Sequence, residues 1–178
     1  MLHFINHSVM KKQNILKGLT ILLIFYACEK NTDNLDNVIV INELMPVNST
    51  VVSDPDGDFD DWIELYNISS AAQDLSGWFL SDNEKHISKW QFPPATTIAG
   101  KGYLIIWADD DSSQIGLHAS FKLSSLGEEI LLSDTEGNLM DKVLYSGQTL
   151  ELSYSRNPDG EGPFKWQIPT FARTNNDN

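Results

Sequence analysis

"GDFDDWIELYN", residues 57–67, passes from acidic to apolar character within a few positions. In its second half, Ile63 and Leu65 share one face of an extended chain, because side chains alternate along a β-strand. Glu64 and Tyr66 share the other face, so the pattern predicts a half-buried strand. An acidic turn followed by a strand of this kind is typical of an all-β protein.

The same kind of pattern continues from Val38 to the end of the chain. Short runs rich in Val, Ile, Tyr, Phe and Trp are separated by clusters of Gly, Pro, Asn, Asp and Ser, and no helical period is sustained. The run Tyr103–Trp107 is apolar on both faces, which predicts a central strand. Nine short strands indicate an antiparallel sandwich or barrel. The predicted strands cover residues 38–44, 62–68, 77–80, 86–92, 103–108, 129–133, 140–145, 152–156 and 165–168.

The charge of the chain excludes some classes of partner. The sequence has 12 Lys and Arg residues against 25 Asp and Glu residues, a formal charge of −13. A field of that sign opposes nonspecific binding to nucleic acid or to anionic lipid, so we expect no nucleic-acid partner. Cations and cationic partners are favoured instead.

The first 28 residues differ in kind from the rest. They contain no acidic residue and carry three lysines, followed by the nine-residue apolar run Leu19–Ala27. Crossing a bilayer as a helix takes roughly 20 residues, whereas a basic segment before a short apolar run is the export pattern. We therefore predict a signal peptide over residues 1–27, for which Met10 is a better start than Met1.

Cys28 is the only cysteine of the chain and stands at the predicted cleavage position. Its context resembles a relaxed bacterial lipobox, in which the cysteine is acylated and becomes the mature N-terminus; the alternative is a free cysteine that ends an ordinary signal. Residues 29–37 are polar and without apolar period, which predicts a flexible tether. These features predict an exported protein of the bacterial cell envelope that is lipid-anchored to a membrane.

The order of motifs from Ile41 to Asn175 resembles the lamin-tail domain family in its bacterial form. Where that family usually has Pro-Thr-Pro-Gly, this chain has Pro169-Thr-Phe-Ala172, so the last turn is expected to close differently. The matching pieces are INELMP (41–46), GDFDDWIELYN (57–67), DLSGWFLSD (74–82), KWQFPPATTIAGKGYLIIWAD (89–109), FKLSSLGEEILLSD (121–134), LSYSRNPDGEG (152–162) and the closing residues Trp166, Pro169, Thr170 and Asn175.

The resemblance implies an immunoglobulin-like antiparallel β-sandwich over residues 38–175. In eukaryotic lamins this domain is a tail that binds partners, and in bacteria it occurs on exported and surface proteins as an attachment or interaction module. Binding to chromatin is not carried over, because this chain is acidic and is expected to be exported.

Alternating aspartates raise the question of a calcium site. Carboxylate oxygens at such spacing are what calcium requires, but the EF-hand pattern fails, because its sixth and twelfth positions hold Phe59 and Leu65. Five carboxylates so close together also repel one another and raise one another's pKa. A bound cation would relieve this repulsion. The candidate calcium ligands are Asp54, Asp56, Asp58, Asp60 and Asp61.

A turn explains part of the same cluster. Asp54-Pro-Asp-Gly57 has the residue preferences of a type I turn, and residues 157–160, Asn-Pro-Asp-Gly, repeat them without surrounding aspartates. The calcium hypothesis therefore rests on Asp58, Asp60 and Asp61, which the turn does not explain.

No set of residues predicts catalysis, and we expect no enzyme activity. His86, in a predicted strand, and His118 are the only histidines beyond the tether, and no zinc-ligand spacing is present. A nucleophile elbow and a phosphate-binding loop are both absent, although composition alone does not rule out a Ser-His-Asp triad. The acidic run 109–111 is more typical of a solvated loop than of a ligand cluster.

These observations leave three functional hypotheses. The first is a non-catalytic, envelope-anchored interaction module that binds a protein partner or a surface polymer. The second is a calcium-dependent adhesion or glycan-binding module, in which one of the five tryptophans forms a platform for sugar rings, although core packing is the stronger expectation for them. The third is an accessory subunit of an exported hydrolase or nuclease, because related domains also occur beside such enzymes.

Overall fold

The computed structural model describes residues 38–147 and 151–176. The predicted signal peptide, Cys28 and the tether of residues 29–37 lie outside the described residues. All described residues belong to one compact unit.

The described residues form an all-β domain with a single short 3-10 helix, Glu84–His86. The twelve strands are β1 (Ile39–Met45), β2 (Trp62–Asn67), β3 (Gln73–Asp74), β4 (Phe79–Ser81), β5 (Trp90–Gln91), β6 (Thr97–Ile98), β7 (Tyr103–Ala108), β8 (His118–Ala119), β9 (Glu129–Ser133), β10 (Leu139–Leu144), β11 (Ser153–Arg156) and β12 (Phe164–Gln167).

Two main sheets make the sandwich. The larger has the order β12-β11-β1-β2-β7-β8, the smaller has the order β10-β9-β4-β5, and β3 pairs separately with β6. The strand pairs are antiparallel except β7 with β8. The predicted immunoglobulin-like antiparallel sandwich is confirmed.

The core lies between the two main sheets. Ile41 and Leu65 from the larger sheet and Ile130 and Leu132 from the smaller one are fully buried. Each such side chain stabilises the fold by about 2 kcal/mol relative to an exposed one. A second apolar cluster holds Met45, Trp62 and Trp107 with Phe171 packed against them.

A β-bulge in β1 decides which residues reach the core. The register with β2 shifts between Ile41 and Glu43, and a bulge inserts one extra residue into a strand. Strict alternation would place Glu43 on the face of Ile41. With the bulge, Leu44 joins the core instead, and Glu43 lies opposite Glu64 on the outer face of the sheet.

Several strand predictions hold and others are wrong. The bounds predicted for β7 and β9 are confirmed, whereas the strand predicted over 86–92 is wrong, because His86 ends the 3-10 helix and pairing is limited to β5. Asn83 caps this helix by accepting from the amide of Lys85 at 2.9 Å. Three two-residue strands were missed, because two residues show no period.

Two burial predictions also need correction. The strand from Trp62 is not half-buried, because Glu64 has no exposed surface. The run Tyr103–Trp107 is not fully central, since β8 pairs only with Trp107 and Ala108 and leaves the first half of β7 partly exposed.

Candidate functional site

The first half of the aspartate loop is the predicted turn. The amide of Gly57 donates to the carbonyl of Asp54 at 3.2 Å, and Gly57 has a φ of 98°, which favours glycine. One carboxylate oxygen of Asp54, Oδ1, accepts from the amides of Gly57 and Asp58 at 2.7 and 2.8 Å. Asp54 is therefore a buried cap of its own turn.

Asp56 and Asp58 connect this loop to a neighbouring loop. Asp56 Oδ2 accepts from the amide of Ile115 at 2.7 Å, and Asp58 Oδ2 accepts from Gln114 Nε2 at 2.9 Å. Both carboxylates thus accept hydrogen bonds from the neighbouring loop, and these bonds hold the two loops side by side.

Asp54, Asp60 and Gln114 each keep an oxygen without a hydrogen-bond partner. Asp54 Oδ2, Asp60 Oδ2 and Gln114 Oε1 are shielded from solvent and unpaired. Burial raises the pKa of Asp60, and the nearby charges of Asp109, Asp54 and Asp58 raise it further. Unpaired oxygens in a region of repelling charge are a cost that a cation would relieve.

Asp61 has different surroundings from the other aspartates of the loop. Burial raises the pKa of Asp61 to about 7, although hydrogen bonds to the backbone of Asn48 and Leu123 favour its ionised form. Among residues 38–147 and 151–176, no three His, Cys, Asp or Glu side chains are grouped as a metal ion requires. An ion at this loop would need amide, carbonyl or water oxygens as well.

The second candidate loop holds a buried acid–histidine pair. His118 Nδ1 lies 2.8 Å from Asp109 Oδ2, and Nε2 lies 3.2 Å from the carbonyl oxygen of Ile115. Burial lowers the pKa of His118, but these two acceptors outweigh it and raise the pKa overall. A catalytic histidine needs one ring nitrogen directed at the reacting group, and here both face acceptors of the fold.

A buried polar network lies on the outer face of the larger sheet, beneath the C-terminal segment, residues 169–176. Glu64 Oε1 accepts from Asn42 Nδ2 at 2.9 Å, and Glu64 Oε2 accepts from the amide of Ala172 at 2.7 Å. Burial raises the pKa of Glu64 to about 8, and the adjacent charge of Glu43 contributes. Burial likewise raises the pKa of Glu43.

Glu43 and Asn175 both contact the hydroxyl of Thr170. Glu43 Oε1 accepts from the amide of Thr170 at 2.9 Å, and Oε2 lies 2.6 Å from the Thr170 hydroxyl. The same hydroxyl also bonds Asn175 Oδ1. The Thr170 hydroxyl thus joins Glu43 of β1 to Asn175 in the C-terminal segment.

The turn at residues 157–160, Asn-Pro-Asp-Gly, supplies a further acceptor of this network, Asp159. Asp159 accepts from Asn42 Nδ2 at 2.9 Å, from the Tyr103 hydroxyl at 2.9 Å and from the Thr174 hydroxyl at 2.6 Å. The amide of Asn175 also donates to it, at 3.1 Å. The sequence predicts a turn here but not these contacts, because no local pattern shows which distant donors reach Asp159.

The C-terminal segment contains two consecutive residues with a positive φ. Phe171 and Ala172 have φ values of 43° and 57°, in the region that favours glycine. Phe171 packs edge-on against Trp62 at 5.2 Å between ring centroids and lies 5.6 Å from Trp107.

The tryptophans divide between the core and its margins. Trp62 and Trp107 are buried, whereas Trp78, Trp90 and Trp166 are partly buried against the main core. The expectation of core or rim packing therefore fits all five, and three keep some accessible surface.

Comparison with models of protein families gives a match. The family model described as "Lamin Tail Domain" matches residues 35–147, a range that ends before β11, β12 and the C-terminal segment. No curated protein matches the chain. Within the part of the chain that the structure describes, no helix has the length and apolar character needed to cross a bilayer.

Proposed function

Because the chain belongs to the lamin tail domain family, whose domains are non-catalytic immunoglobulin-like interaction modules, we propose that it is an envelope-anchored interaction protein. In this proposal the lipid on Cys28 holds the protein to a bacterial membrane. The sandwich, carried on the tether of residues 29–37, binds a protein partner or a surface polymer.

One observation carries the non-catalytic part of the proposal: the groups with unusual protonation hold the fold together. Perturbed carboxylates and histidines often mark reactive sites. Here Glu43 and Glu64 bond the C-terminal segment, and both ring nitrogens of His118 face acceptors. His118 borders a cavity of about 150 Å³, but both of its ring nitrogens are already held by Asp109 and Ile115.

The negative charge of the chain supports a positively charged partner. Removal of residues 1–27 leaves 9 basic against 25 acidic residues, a formal charge of −16. Such a field speeds encounters with cationic surfaces and repels anionic ones. A lipid anchor would provide the membrane attachment that the charge of the domain opposes.

The anchor is tested by replacing Cys28. Wild-type protein is expected to fractionate with membranes, to require detergent for release and to carry a lipid mass on its N-terminal fragment. Cys28→Ser removes the acylated thiol, so this variant is expected in the soluble fraction or as unprocessed precursor. A wild-type protein that is soluble with an unmodified Cys28 would refute the anchor.

The partner is tested by crosslinking in intact envelopes, followed by purification and mass spectrometry. A reproducible protein or polysaccharide partner, absent when the anchor variant is used, supports the interaction role. A hydrolase or nuclease as the crosslinked protein would favour the accessory-subunit alternative. Hydrolysis by the purified chain itself would contradict the whole proposal.

A second candidate function, calcium-dependent binding, is favoured by the unpaired oxygens of Asp54, Asp60 and Gln114. Calcium takes six to eight oxygen ligands, so amide and water oxygens would complete a site that begins with two carboxylates. Bound calcium would fix the two loops against each other and present the exposed side chains of Phe59 and Ile115.

Calcium binding predicts a rise in the melting temperature of the protein. A hundredfold excess of calcium over its Kd would stabilise the fold by about 3 kcal/mol. Asp60→Asn should abolish the rise and leave the calcium-free protein at least as stable, because it removes one repelling charge. Asp111→Asn, the same change in the exposed neighbouring loop, should leave the rise intact. Absence of both binding heat and thermal shift would remove this candidate.

A further inference from the structure

A cleft at one side of the sandwich, here called the Trp78 cleft, has a volume of about 310 Å³. Its walls come from the start of β1, from β3, from the segment before β4 and from the turn between β9 and β10. It is lined by Val38, Gln73, Trp78, Met140 and residues 134–136. The volume is at the lower end of the range of small-molecule sites, which suits one side chain better than an extended ligand.

One wall of the Trp78 cleft is apolar and aromatic. Val38, Trp78 and Met140 are partly buried hydrophobic residues that pack against the main core. The core therefore holds the indole in place while part of it lines the cleft. Within residues 38–147 and 151–176 the indole of Trp78 has none of the aromatic ring contacts that Trp62, Trp90 and Trp166 show.

The opposite wall carries two carboxylates. Asp134 accepts from the amides of Glu136 and Asn138 at 2.9 and 2.8 Å and from the Asn138 side chain at 2.8 Å. The bonds from Asn138 and the turn amides lower the pKa of Asp134, so its charge is held in a fixed position. Glu136 is exposed beside it.

The negative charge of this wall is uncompensated within the described residues. The ion pairs there join Lys89 to Asp82, Lys142 to Glu84 and Glu129, and Arg156 to Asp141. None of them includes Asp134 or Glu136. A cation that entered the cleft would meet two carboxylates without displacing an existing partner.

We propose that the Trp78 cleft binds the cationic side chain of a lysine or arginine on a protein partner. A guanidinium or ammonium group is attracted to the face of an indole and to carboxylates at the same time. The apolar wall of Val38 and Met140 would cover the aliphatic stem of such a side chain. This inference rests on the proposed interaction function and names the chemistry of its partner.

A sugar ring is the competing occupant, because sugars also stack on tryptophan. The charges of Asp134 and Glu136 distinguish a cationic side chain from a sugar as the occupant. A neutral sugar gains little from Asp134, whose oxygens already accept hydrogen bonds within the turn, whereas a cation gains from the charge of Asp134 and of Glu136. Binding of a cation should also weaken with salt, because exposed charges are screened over about 10 Å at 0.1 M ionic strength.

The test is a titration of the full chain in detergent, followed by the indole N–H resonances of its tryptophans. The probes are the Nα-acetyl amides of arginine, lysine and norleucine, and N-acetylglucosamine. Arginine and lysine amides are expected to shift the Trp78 resonance. Norleucine, which has a similar stem without the charge, should bind at least tenfold more weakly.

Glu136→Gln is the decisive variant, because Glu136 is exposed and its replacement leaves the core intact. It should weaken binding of both cationic amides at least threefold. Glu161→Gln, the same change at an exposed residue outside the cleft, should leave binding unchanged. Trp78→Leu should abolish binding, and a thermal melt would show whether that variant still folds.

The proposal is overturned if norleucine amide shifts the Trp78 resonance as strongly as arginine amide, if only the sugar binds, or if the two glutamine variants behave alike. Its failure is separable from failure of the proposed function. A partner captured by crosslinking from envelopes, with no binding of the cationic amides, would remove the cleft inference and leave the interaction role standing.

Discussion

The melting temperature of the protein is expected to fall as the pH rises from about 5.5 to about 8, because the folded state retains protons that the unfolded chain releases. Glu64 makes the largest contribution. Burial raises its pKa from 4.5 to about 8, so within that window the native carboxyl is protonated while the unfolded one is ionised. Each pKa unit corresponds to about 1.4 kcal/mol of stability.

Other groups shift stability in the same direction over this window. Burial raises the pKa of Asp61 to about 7 and raises that of Glu43 above its ordinary value. His118 has a raised pKa in the folded state despite burial, so the stability from its proton is also lost as the pH rises. Carboxylates with a lowered pKa are ionised in both states here and do not oppose the trend; they are Asp74, Asp111, Glu129, Asp134 and Glu151.

Glu64→Gln tests whether Glu64 causes the fall in melting temperature with rising pH. The amide does not titrate, so the pH dependence should become flatter. The variant should lose about 1–3 kcal/mol at the acidic end. Its amide nitrogen is a donor, so either the Ala172 amide or Asn42 Nδ2 loses the acceptor that Glu64 provides. Glu161→Gln should keep the wild-type slope. Thermal melts across the pH range measure both, and a wild-type profile that is flat or rises with pH would contradict the explanation.

Termination of the chain after Ile168 is expected to abolish cooperative unfolding. The deleted segment covers the outer face of the larger sheet, where Glu43 and Glu64 accept from Thr170 and Ala172. Without it, both buried carboxylates lose acceptor bonds, each a cost of about 1–3 kcal/mol. The summed loss is comparable to the whole stability of a typical domain, about 5–15 kcal/mol.

The same deletion removes Phe171 from the cluster of Trp62 and Trp107. The matched control ends after Asn176 and keeps the whole network. Circular dichroism melts and soluble yield compare the two chains. A chain ending at Ile168 that melts cooperatively within a few degrees of the control would show that the segment contributes little.

Local patterns account for the parts of the fold that were predicted. The strands of β7 and β9 were recognised because apolar and β-branched residues recur along consecutive positions. The turn at Asp54 was recognised because Pro fixes φ and Gly adopts a positive φ without strain. The helix at Glu84–His86 was missed, although Asn83, which caps it, was a usable local signal.

The candidate site was less accessible from sequence. The aspartates of the loop were visible as a cluster, but their partners Gln114 and Ile115 lie far along the chain. The pairing of Asp109 with His118 likewise had no local signal. Whether calcium binds the loop stays a prediction that the melting experiment decides.

The sequence by itself determined the β class, the turn at Asp54 and the acidic charge, because alternation, the backbone preferences of Pro and Gly, and ionisation are properties of neighbouring residues or of composition. Only the tertiary structure decided the raised pKa of Glu43 and of Glu64. A bulge in β1 turned Glu43 to the outer face, and Thr170, 127 positions away, covered it. Burial of a charge depends on which distant segments meet, and no pattern within one strand carries that information.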